Sequence, residues 1–264
     1  MEEAVQSIWG KFHIPRGSCG RWRIGPLHLI IERQEYEWRL GTLRERESFA
    51  DTMGVLVPAR PPDDREPYYW TRYGTTSPDL RLDISPRLPD RSVVTRPAHA
   101  FAIPPQDEVR IFVTSPVWIR LAPGADGARR LADFPIYRPS DTWFGPPTQE
   151  GHLCYASRTY CCLHLSEFVL QRHRATTAVR IQNRTDSTLV LERISLPVFR
   201  LALFQTPNGV LWTEETTLVR RDVTDFADVK VARRPPPEAE RAKFISPSRR
   251  QEDGPFRAFS SLLR

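Results

Sequence analysis

The chain has 264 residues and a mass of 30.5 kDa, about 1.8 average domains, which fits one large β domain or two small ones. Hydrophobic residues at 40% exclude a wholly disordered chain, and 25 prolines against 13 glycines interrupt nearly every stretch long enough to be a helix, which excludes helix-rich classes. The net charge of +6 rests on 35 Arg and only 3 Lys; guanidiniums either spread over a solvated surface and pair with the 32 acids, or serve an anionic partner through their bidentate fork.

In chain order, 9–14, 21–24, 27–33 and 37–40 read as short strands separated by Pro15-Arg16-Gly17, Gly25-Pro26 and a Gln34-Glu35 turn, a meander pattern. From 44 to 91 the alternation fails and prolines punctuate a charged stretch, so a loop-rich excursion is expected there. Its aromatic run Tyr68-Tyr69-Trp70 carries too much apolar area to float in water and is expected to lie on the body. Strand patterns return at 92–95, 100–103, 108–114, 117–121, 133–138, 154–165 and 176–182. Two hairpins are expected, one joining 178–182 to 189–194 through the turn 183–188, the other joining 201–204 to 210–213 through Thr206-Pro207-Asn208-Gly209. Many short strands separated by Pro and Gly turns predict an all-β antiparallel β-sandwich, with a barrel-like closure as the alternative, over residues 1–232. Residues 233–264 read as a proline-rich tether and a tail. Phe256, Phe259 and Leu263 stand at i, i+3 and i+7, the stripe of a short amphipathic helix that must dock on the body or on a partner to be stable.

No stretch reaches the roughly 18 to 20 apolar residues of a membrane-spanning helix, and Met1-Glu2-Glu3 lacks the basic-then-apolar order of an export signal. A soluble, cytoplasmic protein is therefore expected, with Cys19, Cys154, Cys161 and Cys162 reduced. Asn183-Arg184-Thr185 accordingly reads as a turn and not as a glycosylation site.

Three groups of residues in fixed order carry a family resemblance. The first joins Trp9-Gly10, Ile24-Gly25-Pro26-Leu27 and Glu37-Trp38. The second joins Ile103-Pro104-Pro105 to Val109, Ile111, Val113, Pro116 and Ile119. The third is Trp143-Phe144-Gly145-Pro146-Pro147, Gly151 and Leu153-Cys154-Tyr155, followed by Val179, Ile181 and Asn183-Arg184-Thr185-Asp186. From about residue 9 to 220 the chain resembles the uncharacterised prokaryotic family catalogued as domain of unknown function 432. The resemblance implies no catalytic residue and no cofactor. Members encoded beside mechanosensitive channel genes make a membrane protein one partner that the resemblance implies.

His152, Cys154, Cys162 and His164 are symmetric about residue 158, so a hairpin there would gather two imidazoles and two thiols in a zinc-like set. A continuous strand would instead spread them over about 40 Å, and thiols are common core residues; no metal and no Cys-His nucleophile are expected. Trp143, Phe144, Gly145, Pro146 and Pro147 form a stiff aromatic loop suited either to binding a ring or a proline or to plugging one end of the fold. The acid pairs Glu35/Glu37 and Glu214/Glu215 are the material for a carbohydrate-active or other hydrolase. A nucleic-acid surface through Tyr68, Tyr69, Trp70 and Arg72 is disfavoured by Asp63, Asp64 and Glu66 beside it. The expectation is a non-enzymatic binding or interaction module with no cofactor, which meets a protein partner or a second copy of itself.

Overall fold

The computed structural model describes residues 7–45, 51–60, 67–124, 130–145, 151–221, 226–249 and 256–259. The protein is all-β. Among the described residues the helical content is limited to three-residue 3-10 turns at Leu165–Glu167, Val198–Arg200 and Pro237–Ala239. No helix among them is long and apolar enough to cross a membrane. The chain divides into two compact units, Met1–Pro86 with Trp118–Tyr137, and Arg87–Val117 with Arg138–Arg264.

In the first unit a five-stranded antiparallel sheet runs Met53–Ala59, Ser18–Ile24, Leu27–Arg33, Glu37–Arg44, Tyr69–Gly74. Alternation selects the buried set on its flanking strands: Trp22 and Ile24 turn inward between Arg21 and Arg23, and Trp38 and Leu40 between Glu37, Arg39 and Thr42. The central strand is apolar on both faces, with Leu27, Leu29, Ile30 and Ile31 all buried. Arg33 at its end is fully buried, lies over the Trp38 ring at 5.1 Å, and donates to the carbonyls of Gln34, Glu35 and Glu37 and to that of Ser77. It thereby closes the turn that the sequence places at 34–35. A second sheet follows the order Gly10–His13, Arg81–Arg87, Trp118–Pro123, Ala132–Pro135.

The stretch 44–91 contributes Met53–Ala59, Tyr69–Gly74 and Arg81–Arg87 to these sheets. Its prolines hide the strands from a pattern reading. Pro58 lies in Met53–Ala59, an edge strand, where a missing N–H is tolerated. Trp70, on the opposite edge, stands across from Gly41 and beneath the Arg39 guanidinium at 4.8 Å, so of the aromatic run Trp70 lies on the body while Tyr69 is 76% exposed.

In the second unit an eight-stranded sheet runs Lys243–Ser246, Leu203–Gln205, Leu211–Thr213, Arg174–Asn183, Thr216–Arg220, Phe226–Val231, Phe256–Phe259, with Glu108–Pro116 also paired to Arg174–Asn183. Its pairs are antiparallel except those of Arg174–Asn183 with Leu211–Thr213 and with Thr216–Arg220. Phe112, Ala178, Val210, Trp212 and Ala239 form one core cluster, with the Phe112 and Trp212 rings edge to face at 6.5 Å. A four-stranded sheet runs Asp141–Phe144, His152–Ala156, Val93–Thr95, Ile194–Leu196, and a two-stranded one joins Leu189–Leu191 to Phe101–Ile103.

The hairpin expected at 201–213 forms, with Gly209 at φ 87° in its turn. The one expected at 178–194 does not. Leu189–Leu191 pairs with Phe101–Ile103, while Arg174–Asn183 takes Glu108–Pro116 and Thr216–Arg220 as neighbours. The cause is Asn183: its buried amide donates to the carbonyls of Ile103, Pro104 and Ser187, and its Oδ1 accepts from Thr185, which turns the chain away. The helix expected through Phe256 and Phe259 is also corrected, since Phe256–Phe259 is a strand paired with Phe226–Val231. A sheet edge satisfies the backbone of a segment too short to nucleate a helix. Leu263 lies outside the described residues.

A Cβ on Gly20 would fall 2.3 Å from the Trp22 ring and 2.7 Å from Val57, whereas one on Gly54 meets nothing within 4 Å. Gly20→Ala is expected to cost about 1–3 kcal/mol through overpacking, while Gly54→Ala stays within about 0.5 kcal/mol; urea midpoints of the two variants check this.

Candidate functional site

The aromatic loop begins as a strand. Asp141–Phe144 ends its four-stranded sheet and pairs antiparallel with His152–Ala156, so that Trp143 faces Leu153, Phe144 faces His152 and Thr142 faces Cys154. The two-residue period then sorts the side chains. Phe144 and Cys154 are sealed in a cluster with Val94, whereas Trp143 and Leu153 remain 44% and 48% exposed. The lip is fixed from several sides. The Arg193 guanidinium sits 5.3 Å from the Phe144 ring centre, and Asp141 takes Arg91 at 3.3 Å and Arg138 at 3.1 Å. Gly145 leaves the strand at φ 125°, a conformation that favours glycine. The indole of Trp143 lies across Gly151, where a Cβ would come within 2.4 Å of it. Pro146 and Pro147 lie outside the described residues.

His152, Cys154, Cys162 and His164 occupy four different settings. His152 is exposed at the start of its strand, and Cys154 is buried with its sulfur 3.9 Å from Ser195 Oγ. The chain neither folds back about residue 158 nor continues as one strand. It leaves the sheet after Ala156, and Cys161 forms a parallel bridge to Pro97. Cys162 exchanges backbone bonds with Phe112, and the backbone N–H of His164 donates to Glu167 Oε1 at 3.1 Å as a 3-10 turn begins. Among the described residues no group of three or more His, Cys, Asp or Glu is placed to hold a metal ion. Burial pushes the Cys154 and Cys162 thiols up and that of Cys161 up to about 12, so all three are protonated at neutral pH and poor nucleophiles.

Of the candidate acid pairs, three carboxylates are engaged individually. Glu37 holds Arg72 at 2.7 Å. Glu214 accepts from the Ala202 N–H at 2.6 Å and its pKa is raised by burial, while Glu215 faces Arg110 at 3.0 Å and Arg180 at 3.6 Å.

A further polar cluster escapes sequence reasoning. Arg174 opens the strand Arg174–Asn183, and the register sets Thr114 diagonally beside it, opposite Thr176. The guanidinium donates through Nε to Thr114 Oγ1 at 3.2 Å. Its Nη2 donates to the Thr114 carbonyl at 3.1 Å, to Thr159 Oγ1 at 3.2 Å and to Ser157 Oγ at 3.5 Å. The hydroxyls of Thr114 and Thr159 meet at 2.6 Å and those of Ser157 and Thr159 at 3.0 Å, while Thr95 Oγ1 donates to the Thr159 carbonyl at 2.9 Å. Part of the residue's surface reaches solvent, yet the guanidinium is packed closely enough that desolvation, with a smaller contribution from Arg158, holds its pKa down to about 10. It is still a cation at neutral pH. Ser157 follows directly on the strand His152–Ala156, so the aromatic hairpin runs into this cluster.

Gly151→Ala is expected to push the Trp143 indole off its seat with little loss of stability, because the residue it displaces is half exposed. With fluorotryptophan incorporated, the fluorine resonance identified by Trp143→Phe should move in Gly151→Ala while the other six stay in place; an unmoved resonance contradicts the packing described.

The model of a family described as protein of unknown function, DUF432, matches residues 8–262. No curated protein and no solved structure matches the chain. Because the match leaves out only the first seven and last two residues, the chain belongs to the DUF432 family.

Proposed function

We propose that the protein is a non-enzymatic, cytoplasmic interaction module that engages a protein partner through the hairpin built from Asp141–Phe144 and His152–Ala156, with Trp143 as the anchor. The observation that carries this reading is the exposed cross-strand pair Trp143–Leu153 on a hairpin whose other face seals Phe144 and Cys154 into the core. A large ring held in place before binding loses little freedom when it is covered, and aromatic anchors of this kind carry a disproportionate share of interface energy. The protonated thiols and the separately engaged carboxylates favour recognition over nucleophilic or paired-carboxylate chemistry. A membrane protein, which the family resemblance implies, is one partner to test.

The test places a photo-crosslinking benzoylphenylalanine at position 153 of the full-length protein in its source cells, with position 169 as control because Val169 is 82% exposed. The reading predicts one adduct of defined mass at 153, absent at 169, and suppressed by excess wild-type protein but not by Trp143→Ala. The same adducts at both positions, or equal suppression by the variant, would remove the hairpin as the contact site.

A further inference from the structure

We propose that Arg174, together with the hydroxyls of Thr114, Ser157 and Thr159, is a binding site for a phosphate-type oxyanion. This inference does not depend on the hairpin reading, although both lie in the second unit.

The argument starts from charge balance. A desolvated cation is costly unless something negative faces it, and two other inward-turned arginines, Arg110 and Arg33, meet that requirement in two ways. Arg110 is held by Glu238 through both Nη atoms and by Glu215 at 3.0 Å. Arg33 has no carboxylate but directs its fork at four carbonyl oxygens, which fill it and make it structural. Arg174 has neither arrangement. Among the described residues its partners are one carbonyl and three hydroxyls, and the charge acting on it most directly is that of Arg158, of the same sign. Arg158 sits between Ser157 and Thr159 and is exposed.

Part of the bonding capacity of Arg174 is unused. Its Nη1 makes no hydrogen bond among the described residues, so two N–H groups there have no acceptor, and part of the residue's surface reaches solvent. The hydroxyls are donors that can rotate. The 2.6 Å and 3.0 Å contacts each use one of their three protons, leaving a third to point at the Thr114 carbonyl or at an incoming oxygen. A planar carboxylate would satisfy only one edge of the guanidinium. A tetrahedral oxyanion can accept from that edge, from a hydroxyl and from Arg158 in different directions, and would place negative charge between two guanidiniums that otherwise repel.

The probe is inorganic phosphate, titrated into the full-length protein by calorimetry and by thermal melting, with chloride balancing ionic strength. Saturable binding and a rise in Tm are expected for the wild type. Arg174→Gln should weaken binding by roughly tenfold or more, as expected on losing a charge-assisted pair. Should Arg174→Gln fail to fold, Arg158→Ala changes an exposed residue and should weaken binding about threefold to tenfold with little change in the melting curve in the absence of phosphate, while Ser157→Ala removes a donor from the hydroxyl network and should weaken binding about as much with a modest fall in Tm. A parallel arm uses vesicles containing phosphatidic acid. Phosphate binding without vesicle binding assigns a soluble phosphate compound, and vesicle binding competed by phosphate assigns a lipid headgroup. No saturable phosphate binding to the wild type, or binding unchanged in the folded variants, overturns the proposal.

Discussion

Nine consecutive residue pairs, from Glu108 opposite Gln182 to Pro116 opposite Arg174, tie Glu108–Pro116 to Arg174–Asn183, and the organisation of the second unit follows from that ladder. Its middle supplies Phe112 and Ala178 to the core cluster. One end delivers Asn183 to the turn that separates Arg174–Asn183 from Leu189–Leu191, and the other brings Arg174 beside Thr114. Because side chains alternate with a period of two, a slip of one residue would move Ala178 out of the core and carry Arg174 away from the Thr114 hydroxyl. Packing and polar chemistry are thus set by the same register, and neither can be altered alone.

The arginine excess is resolved locally. Some guanidiniums close backbone turns, as Arg33 does through carbonyls; some join carboxylate networks, as Arg110 and Arg180 do with Glu108, Glu215 and Glu238; others stack on rings, as Arg39 does on Trp70 and Arg193 on Phe144. Composition alone therefore says little about an anionic partner. What separates Arg174 from these is the chemistry of its partners, hydroxyls and a single carbonyl, around a guanidinium that is largely desolvated.

Much of the first unit is legible in the sequence because local signals suffice there. Alternation in 21–24 and 37–40, bounded by Gly25-Pro26 and Gln34-Glu35, specifies the two strands that flank Leu27–Arg33; in the second unit Asn208-Gly209 specifies the turn before Leu211–Thr213. Strands within 44–91 are masked because Pro58 occupies an edge where proline does no harm. The pairing of residues 178–194 is misread because proximity in sequence favours a hairpin, whereas the three carbonyl acceptors of the Asn183 side chain favour a divergence. Composition singles out residues 143–147, but only the pairing with His152–Ala156 shows which of Trp143 and Phe144 turns outward. The Arg174 cluster is invisible to a linear reading, since its members come from positions 114, 157, 159 and 174 and none stands in a motif.

The central claim is that this register holds a cation for an anion that the protein itself does not supply. The most direct measurement is a crystal structure of the full-length protein soaked in tungstate, whose tetrahedral oxyanion mimics phosphate and scatters anomalously. The account predicts an anomalous peak within hydrogen-bonding reach of Arg174 Nη1, weakened in a crystal of Arg158→Ala. A carboxylate of the chain itself seated on Nη1, with no anomalous peak there, would contradict it.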